Sequence, residues 1–460
     1  MARRRWQGRR TVRERADAGE GELARYLVRP RRSEVEEIDG RVRSVARHGR
    51  AERVAEVRSL RRRDRRSLDL DAMVRDYRGT LVRGGAETPL TGIQLIEMAP
   101  DDAERLGRDQ PALVVLRDRA IDLIRPVRRS PGASKVRPAA ADLWHLGRIG
   151  LGGRTRARLS ATGAGVTVAV LDTGIDGSHP ELEGAVDAVV RFDPVSGAVI
   201  RAESCIDTDG HGTHVAGLIC GRRVGVAPGA KAVGAVMLPG GRGMLSDFVL
   251  ALEWAGQEES VQVVNLSAGI PGRVDGMQET IGDLRRVGVL PVVAIGNEGA
   301  GKTRSPGNYA EVLSVGAAAR DGGVAAYSGS GRIADGVRRW SVPALVAPGE
   351  QVMSAVIGGG YEAWDGTSMA TPIVAGLAAL LIEAHGGGDL TVADLETLLL
   401  ESCTRLDGPV GRQGRGLARV HRTLRTSPPA RHAPVAKPPP AQRRARKARG
   451  SGRQKPRGSR

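Results

Sequence analysis

Aromatic residues make up only 3% of this 460-residue chain, as five Trp, five Tyr and two Phe. A core of the size such a chain needs must then be filled chiefly by Val, Leu, Ile and Ala. Cysteine is equally scarce: Cys205, Cys220 and Cys403 are too few and too scattered for a disulfide framework or a zinc site. A reducing, cytoplasmic setting is the simplest expectation. The opening "MARRRWQGRRTVRERADAGEGELARYLV" is positive but lacks the apolar run of an export signal, and no later segment is expected to span a membrane. Acidic residues are missing altogether from Ser427 onward, where eleven Lys or Arg supply most of the chain's +18 net charge. That Pro-rich stretch, residues 427–460, cannot offset its ordering entropy by burial and is expected to be disordered. Either it solubilises the chain or it reaches an acidic partner, nucleic acid or membrane surface. Without interleaved aromatics it offers nucleic acid only salt-sensitive phosphate contacts. Nothing in the sequence fixes an oligomeric state.

What is present divides into blocks. After a basic arm at residues 1–20, residues 21–128 read strand, helix, strand, strand, helix, strand. "ARYLVRP", "YRGTLVRG", "TGIQLIEM" and "ALVVLRD" are the strands; "RSEVEEIDGRVRSVARHGRAERVAEVRSL" and "APDDAERLGRD" are the helices. That order predicts a small α+β sandwich of the split βαβ type. Residues 129–141, rich in Pro, Gly, Ser and basic side chains, read as a flexible linker. Between 142 and 426 the pattern changes to short all-apolar runs such as "GVTVAVLD", "AKAVGAVM", "VQVVNLSAG", "GVLPVVAIGN" and "VLSVGAAA", alternating with Gly-rich turns and helices. Such runs belong in a parallel sheet covered by helices on both faces, an α/β fold.

"DGTSMATPIVAGLAALLIEA", beginning at Asp365, poses the chemical question. Ser368 stands just ahead of an apolar helix and is either a cap of its N-terminus or a nucleophile whose oxyanion the helix dipole would stabilise. The choice rests on whether a base and an orienting acid occur elsewhere. Asp172 closes an apolar strand, where reactive residues of parallel sheets gather. His211, in "DTDGHGTHVAGLI", sits between glycines at a helix start, which core packing explains poorly. Asp172, His211 and Ser368 are the residue types of a hydrolytic triad: orienting acid, base and nucleophile.

The motifs "AVLDTGIDGSHPEL", "DGHGTHVAGLI" and "GTSMATPIVAG" are similar to the three signatures of the subtilisin-like serine peptidases, the subtilases, and the resemblance runs over residues 142–425. It implies a serine endopeptidase acting on proteins or peptides through Asp172, His211 and Ser368. It assigns "AIGNEG" to the oxyanion loop, with Asn297 as side-chain donor beside the Ser368 backbone N–H and with Ala294 and Gly296 among the substrate-binding residues. It likens Asn265, Leu266, Ser267, Ala268 and Gly269 to the edge strand that pairs with extended substrate. Residues 21–128 then resemble the family's inhibitory prodomain in element order alone, and an unrelated basic interaction domain stays open. Arg304 falls near the floor of the pocket for the residue before the cut bond; pointing inward it would favour acidic or small side chains, pointing outward it leaves a broad apolar pocket. The chain departs from secreted relatives where "CGRRVGVAPGA" shortens the calcium loop and Glu181 replaces a calcium-ligating Asp. No metal site of that type, and no tightly bound calcium or other cofactor, is expected; weak cation sites elsewhere stay open. His179, His214 and Cys220 are expected to serve structure.

Overall fold

The computed structural model describes residues 22–31, 49–67, 69–83, 88–193, 196–202, 206–336, 338–387 and 390–426. The basic arm, part of the first expected helix, Cys205 and the tail lie outside them. An eight-stranded sheet organises the larger unit, in the order Leu345–Pro348, Leu313–Ala318, Leu290–Ala294, Val261–Leu266, Thr167–Asp172, Lys231–Val236, Val186–Phe192, Val199–Arg201. Seven strands run parallel and only Val199–Arg201 is antiparallel. The central strands are buried along their whole length, which their unbroken apolar sequences require. The helix Thr367–Ala384 is long and apolar enough to cross a membrane, yet 89% of it is buried inside this domain, packed with helix His211–Cys220 on one face of the sheet. Helices Leu245–Gln257 and Gln278–Arg286 cover the other face.

Residues 24–117 form a four-stranded antiparallel sheet, ordered Thr80–Arg83, Gln94–Met98, Ala24–Pro30, Leu113–Arg117. It carries a short helix at Leu70–Asp76, started by the Asp69 side chain, beyond the elements expected from the sequence. Its second face docks on the helices of the larger unit through Leu27, Val57, Leu60, Leu90 and Leu95 against Phe248, Leu252, Ile281 and Leu284. Polar anchors surround that contact: both oxygens of Glu253 accept backbone N–H groups, from Leu90 at 2.8 Å and Thr91 at 2.9 Å. Arg61 pairs with buried Asp283 at 2.5 Å, and Arg29 with Glu279.

The end of the expected N-terminal unit and the expected linker after it do not form a free tether. Strand Ala120–Leu123 inserts between Arg242–Met244 and Ala268–Pro271, and Arg128 and Arg129 pair with Asp365 and Trp364 of strand Gly360–Asp365. Residue 134 bridges to Tyr361 further on. A Pro- and basic-rich segment has no periodicity of its own, but its extended backbone suits an edge position in another unit's sheet.

One buried group makes stability depend on pH. His145 is fully buried with Nε2 on the Val224 carbonyl at 3.0 Å, and burial pushes its pKa down to about 4. The unfolded chain, with an ordinary value near 6.5, takes up the proton first, so the stability is fully present above pH 6.5 and is lost as pH falls toward 4. The loss expected is about 3 kcal/mol. Thermal unfolding of the chain should show it, and His145→Gln should flatten the profile between pH 6.5 and 4.

Candidate active site

Asp172 ends strand Thr167–Asp172, where the strand order of the sheet changes direction and ligands of open α/β sheets collect. Opposite it, helix His211–Cys220 begins after Gly210, whose φ of +97° is left-handed and favours glycine. Gly212 is needed for another reason: a Cβ there would lie 1.9 Å from the Gly174 carbonyl oxygen. This close approach brings the His211 ring to the strand end, with Nδ1 2.8 Å and 3.0 Å from the two Asp172 oxygens, both side chains fully buried. Asp207 fixes the helix start, accepting from Gly210 N at 2.8 Å, Thr213 N at 2.8 Å and the Thr173 hydroxyl at 2.7 Å. Sequence reasoning missed Asp207, although an acid just ahead of a Gly-His-Gly-Thr helix start is a capping signal.

Ser368 is not the cap of its helix. Gly366 holds that position without a side-chain bond, and Ser368 is the second helical residue. Pro372 lies one turn further in, so the Ser368 carbonyl has no N–H partner at that position. Thr367 donates its N–H and its hydroxyl to Asn297 Oδ1, each at 2.9 Å, which turns the Asn297 amide nitrogen outward. The His211 Nε2 atom is buried with no hydrogen-bond partner among the described residues, and the Ser368 hydroxyl donates elsewhere.

Its acceptor lies in the N-terminal segment. Residues 120–129, here termed the strap, cross the site as an extended peptide. Leu123 pairs with Ala268 and Asp122 with Gly269, and Ile124 donates its N–H to the Ser267 carbonyl at 3.0 Å. Ser368 Oγ donates to the Ile124 carbonyl at 2.7 Å, and Asn297 Nδ2 donates to the next carbonyl, that of Arg125, at 3.0 Å. Val127 N then donates to the Asp365 carbonyl at 2.7 Å. The strap was not foreseen: four residues of alternating Ile121 and Leu123 are too short a signal, and their partners lie more than a hundred residues away.

The remaining expected residues divide between groove and core. Ser267, Ala268 and Gly269 meet the strap through their backbones, whereas Leu266 packs in the core. Ala294 is buried at a strand end, and Gly296 follows with φ +112° and a carbonyl engaged by Gly329 N. Asn265 is buried, its amide atoms without partners among the described residues. Arg304 does reach the groove, donating to the Gly269 carbonyl at 2.9 Å, but Glu298 at 2.7 Å neutralises its charge. A selective pull on acidic side chains therefore does not follow from Arg304.

Around the site, His179 accepts from Glu181 N at 3.0 Å within its turn, and His214 stacks on Trp364 with centroids 4.2 Å apart. Burial, and next the neighbouring His211, holds His214 well below its ordinary pKa and so neutral. Burial pushes the Cys220 thiol up to about 12, which makes it unreactive. Glu181 Oε2 accepts from Arg223 N at 2.7 Å and its Oε1 from the Tyr361 hydroxyl at 3.0 Å, so this carboxylate ties the shortened loop directly. Among the described residues no cluster of three or more His, Cys, Asp or Glu is arranged to hold a metal ion.

Known proteins share both this sequence and this architecture. The chain is 36% identical over 293 residues to an alkaline protease of Alkalihalobacillus alcalophilus, covering 62% of this chain and 68% of the relative. It is 37% identical over 270 residues to an intracellular serine protease of Paenibacillus polymyxa, covering 55% and 79%. The crystal structure of fervidolysin from Fervidobacterium pennivorans, described as a keratinolytic enzyme related to subtilisin, superposes with a TM-score of 0.61 at 23% identity. That likeness concerns the fold, covering 90% of this chain, and this chain spans 62% of fervidolysin. The Subtilase family profile matches residues 163–416, more than half of the chain, and the chain accordingly belongs to the subtilases, a family of serine endopeptidases.

Proposed function

We propose that this subtilase hydrolyses peptide bonds through an acyl-enzyme on Ser368 and that its own strap holds it inhibited. His211 Nε2 takes the Ser368 proton as the hydroxyl attacks and returns it to the departing amine; Asp172 keeps the ring oriented and stabilises its cationic form. Asn297 Nδ2 and the Ser368 backbone N–H receive the negative charge that develops on the carbonyl oxygen. Substrate lies extended along Ala268 and Gly269, so that main-chain pairing supplies affinity.

The observation that carries this reading is the strap itself, a peptide seated over the four groups in the manner of a substrate. It also supports inhibition rather than turnover. Attack requires the nucleophile and the oxyanion donor to act on one carbonyl, but here Ser368 addresses Ile124 and Asn297 addresses Arg125. The strap is one residue out of step across the nucleophile. Pro126, which follows, offers no N–H and would have to leave as a secondary amine. With its hydroxyl proton on the Ile124 carbonyl, Ser368 has no hydrogen bond to His211 until the strap departs.

Residues 24–117 keep the strap in place through their docking, and Glu253 is the handle for testing this. Glu253→Ala leaves the buried Leu90 and Thr91 N–H groups without acceptors, a loss that should weaken docking about tenfold. The initial rate of hydrolysis of a general peptide substrate by the full chain is expected to rise severalfold over wild type. An unchanged rate with intact folding would remove the inhibitory role of the N-terminal unit.

A further inference from the structure

Three arginines of the strap are held by the peptidase domain itself. Arg125 donates to Asp209 Oδ2 at 3.0 Å and to the Gly240 carbonyl at 3.1 Å. Arg129 lies 3.5 Å from the other Asp209 oxygen, with its guanidinium 4.1 Å from the centroid of the Trp364 ring. Arg128 Nε is 3.0 Å from Asp365 Oδ2. Asp209 and Asp365 are only 14% and 9% exposed, and among the described residues neither has another cationic partner. Asp209 Oδ1 is buried without a hydrogen bond among the described residues. Departure of the strap would leave two carboxylates without counter-charge, a state that an incoming cation relieves.

All three arginines follow the carbonyl that Ser368 touches, on the side from which the amine product leaves. A planar guanidinium suits both the carboxylate contacts and the Trp364 face, which a lysine ammonium fits less well. We propose that Asp209, Asp365 and Trp364 form an arginine-reading site on the leaving-group side, and that the preferred substrates are arginine-rich polypeptides with two or more arginines within five residues after the cut bond. This rests on the peptidase reading given above and extends it to a substrate class.

The test compares two internally quenched peptides on the full chain: AIDLIRAVRRS, the strap sequence with Ala in place of Pro, and the same peptide with citrulline, the neutral isostere, for each arginine. Both compete with the same strap, so the ratio of their kcat/KM values is independent of how much enzyme is open. In wild type the arginine peptide is expected to be preferred by at least about tenfold, the scale of close charge pairs at desolvated sites. Asp209→Asn and Asp365→Asn should each shrink that ratio about threefold or more, a coupling that a general fall in activity cannot produce. Equal rates for the two peptides in wild type, or a ratio unmoved by both substitutions, overturns the proposal. The same ratio is read as Kd on the Ser368→Ala chain. If no peptide is cleaved by wild type but the arginine peptide still binds tighter, the peptidase reading fails and the arginine site stands; equal or immeasurably weak binding of both peptides overturns the site.

Discussion

Ser368→Ala is expected to lower kcat for peptide hydrolysis by about 10⁵- to 10⁶-fold, a magnitude carried over from the nucleophile of subtilisin rather than computed for this chain. Only the hydroxyl is lost. Ser368 is fully buried in the first turn of helix Thr367–Ala384, and Ala fits the same backbone, so the fold and the strap's docking should persist. The loss should appear in kcat, because the substrate pairing proposed along Ala268 and Gly269 uses main-chain atoms that the substitution does not touch. Intact mass provides the second readout. If incubation at neutral pH removes an N-terminal fragment from wild type by cleavage between residues 124 and 144 while the Ser368→Ala chain stays whole, the N-terminal unit is a prodomain cut by the enzyme's own triad. If both stay whole while peptide is hydrolysed in a Ser368-dependent way, that unit is a retained regulator. Hydrolysis that survives Ser368→Ala would remove the nucleophile assignment.

Asn297→Leu should lower kcat by roughly 10²- to 10³-fold with little change in KM, again a magnitude known from the equivalent donor in subtilisin. Leu keeps the branching of Asn at Cγ, though it is bulkier, and removes the amide nitrogen that now bonds the Arg125 carbonyl. Because Oδ1 also accepts from Thr367, some of the local order at the helix start goes with it, at a cost of about 1 kcal/mol in stability. A melting temperature close to wild type together with the kcat loss would assign the effect to the developing oxyanion. A rise in KM at constant kcat would instead mark Asn297 as a ground-state binding residue.

The chain's own letters foretold the parts of the site whose signals are local. Asp172 ends an unbroken apolar strand, His211 needs glycine on both sides to approach it, and Ser368 precedes a helix too apolar for a surface; each environment is written within a dozen residues. The parallel sheet was legible for the same reason, since strands buried on both faces cannot alternate. The tertiary structure alone decided what fills the groove. In sequence, residues 120–128 fall at the end of the expected N-terminal sandwich and residue 129 opens the expected linker, because a short extended segment owes its pairing to Ser267, Ala268 and Asp365 far along the chain. Ser368 reads equally well as a cap, and only the fold shows Gly366 in the cap position and the Ser368 hydroxyl donating to the strap instead of to its own helix. The charge of Arg304 is visible in sequence, but its neutralisation by Glu298 depends on how the loop closes. Asp209 and Asp365 read as ordinary turn acids until folding brings three arginines onto them. Sequence fixes what depends on neighbours within a turn or a strand; register, counter-charge and occupancy depend on contacts across the fold, where no local pattern records them.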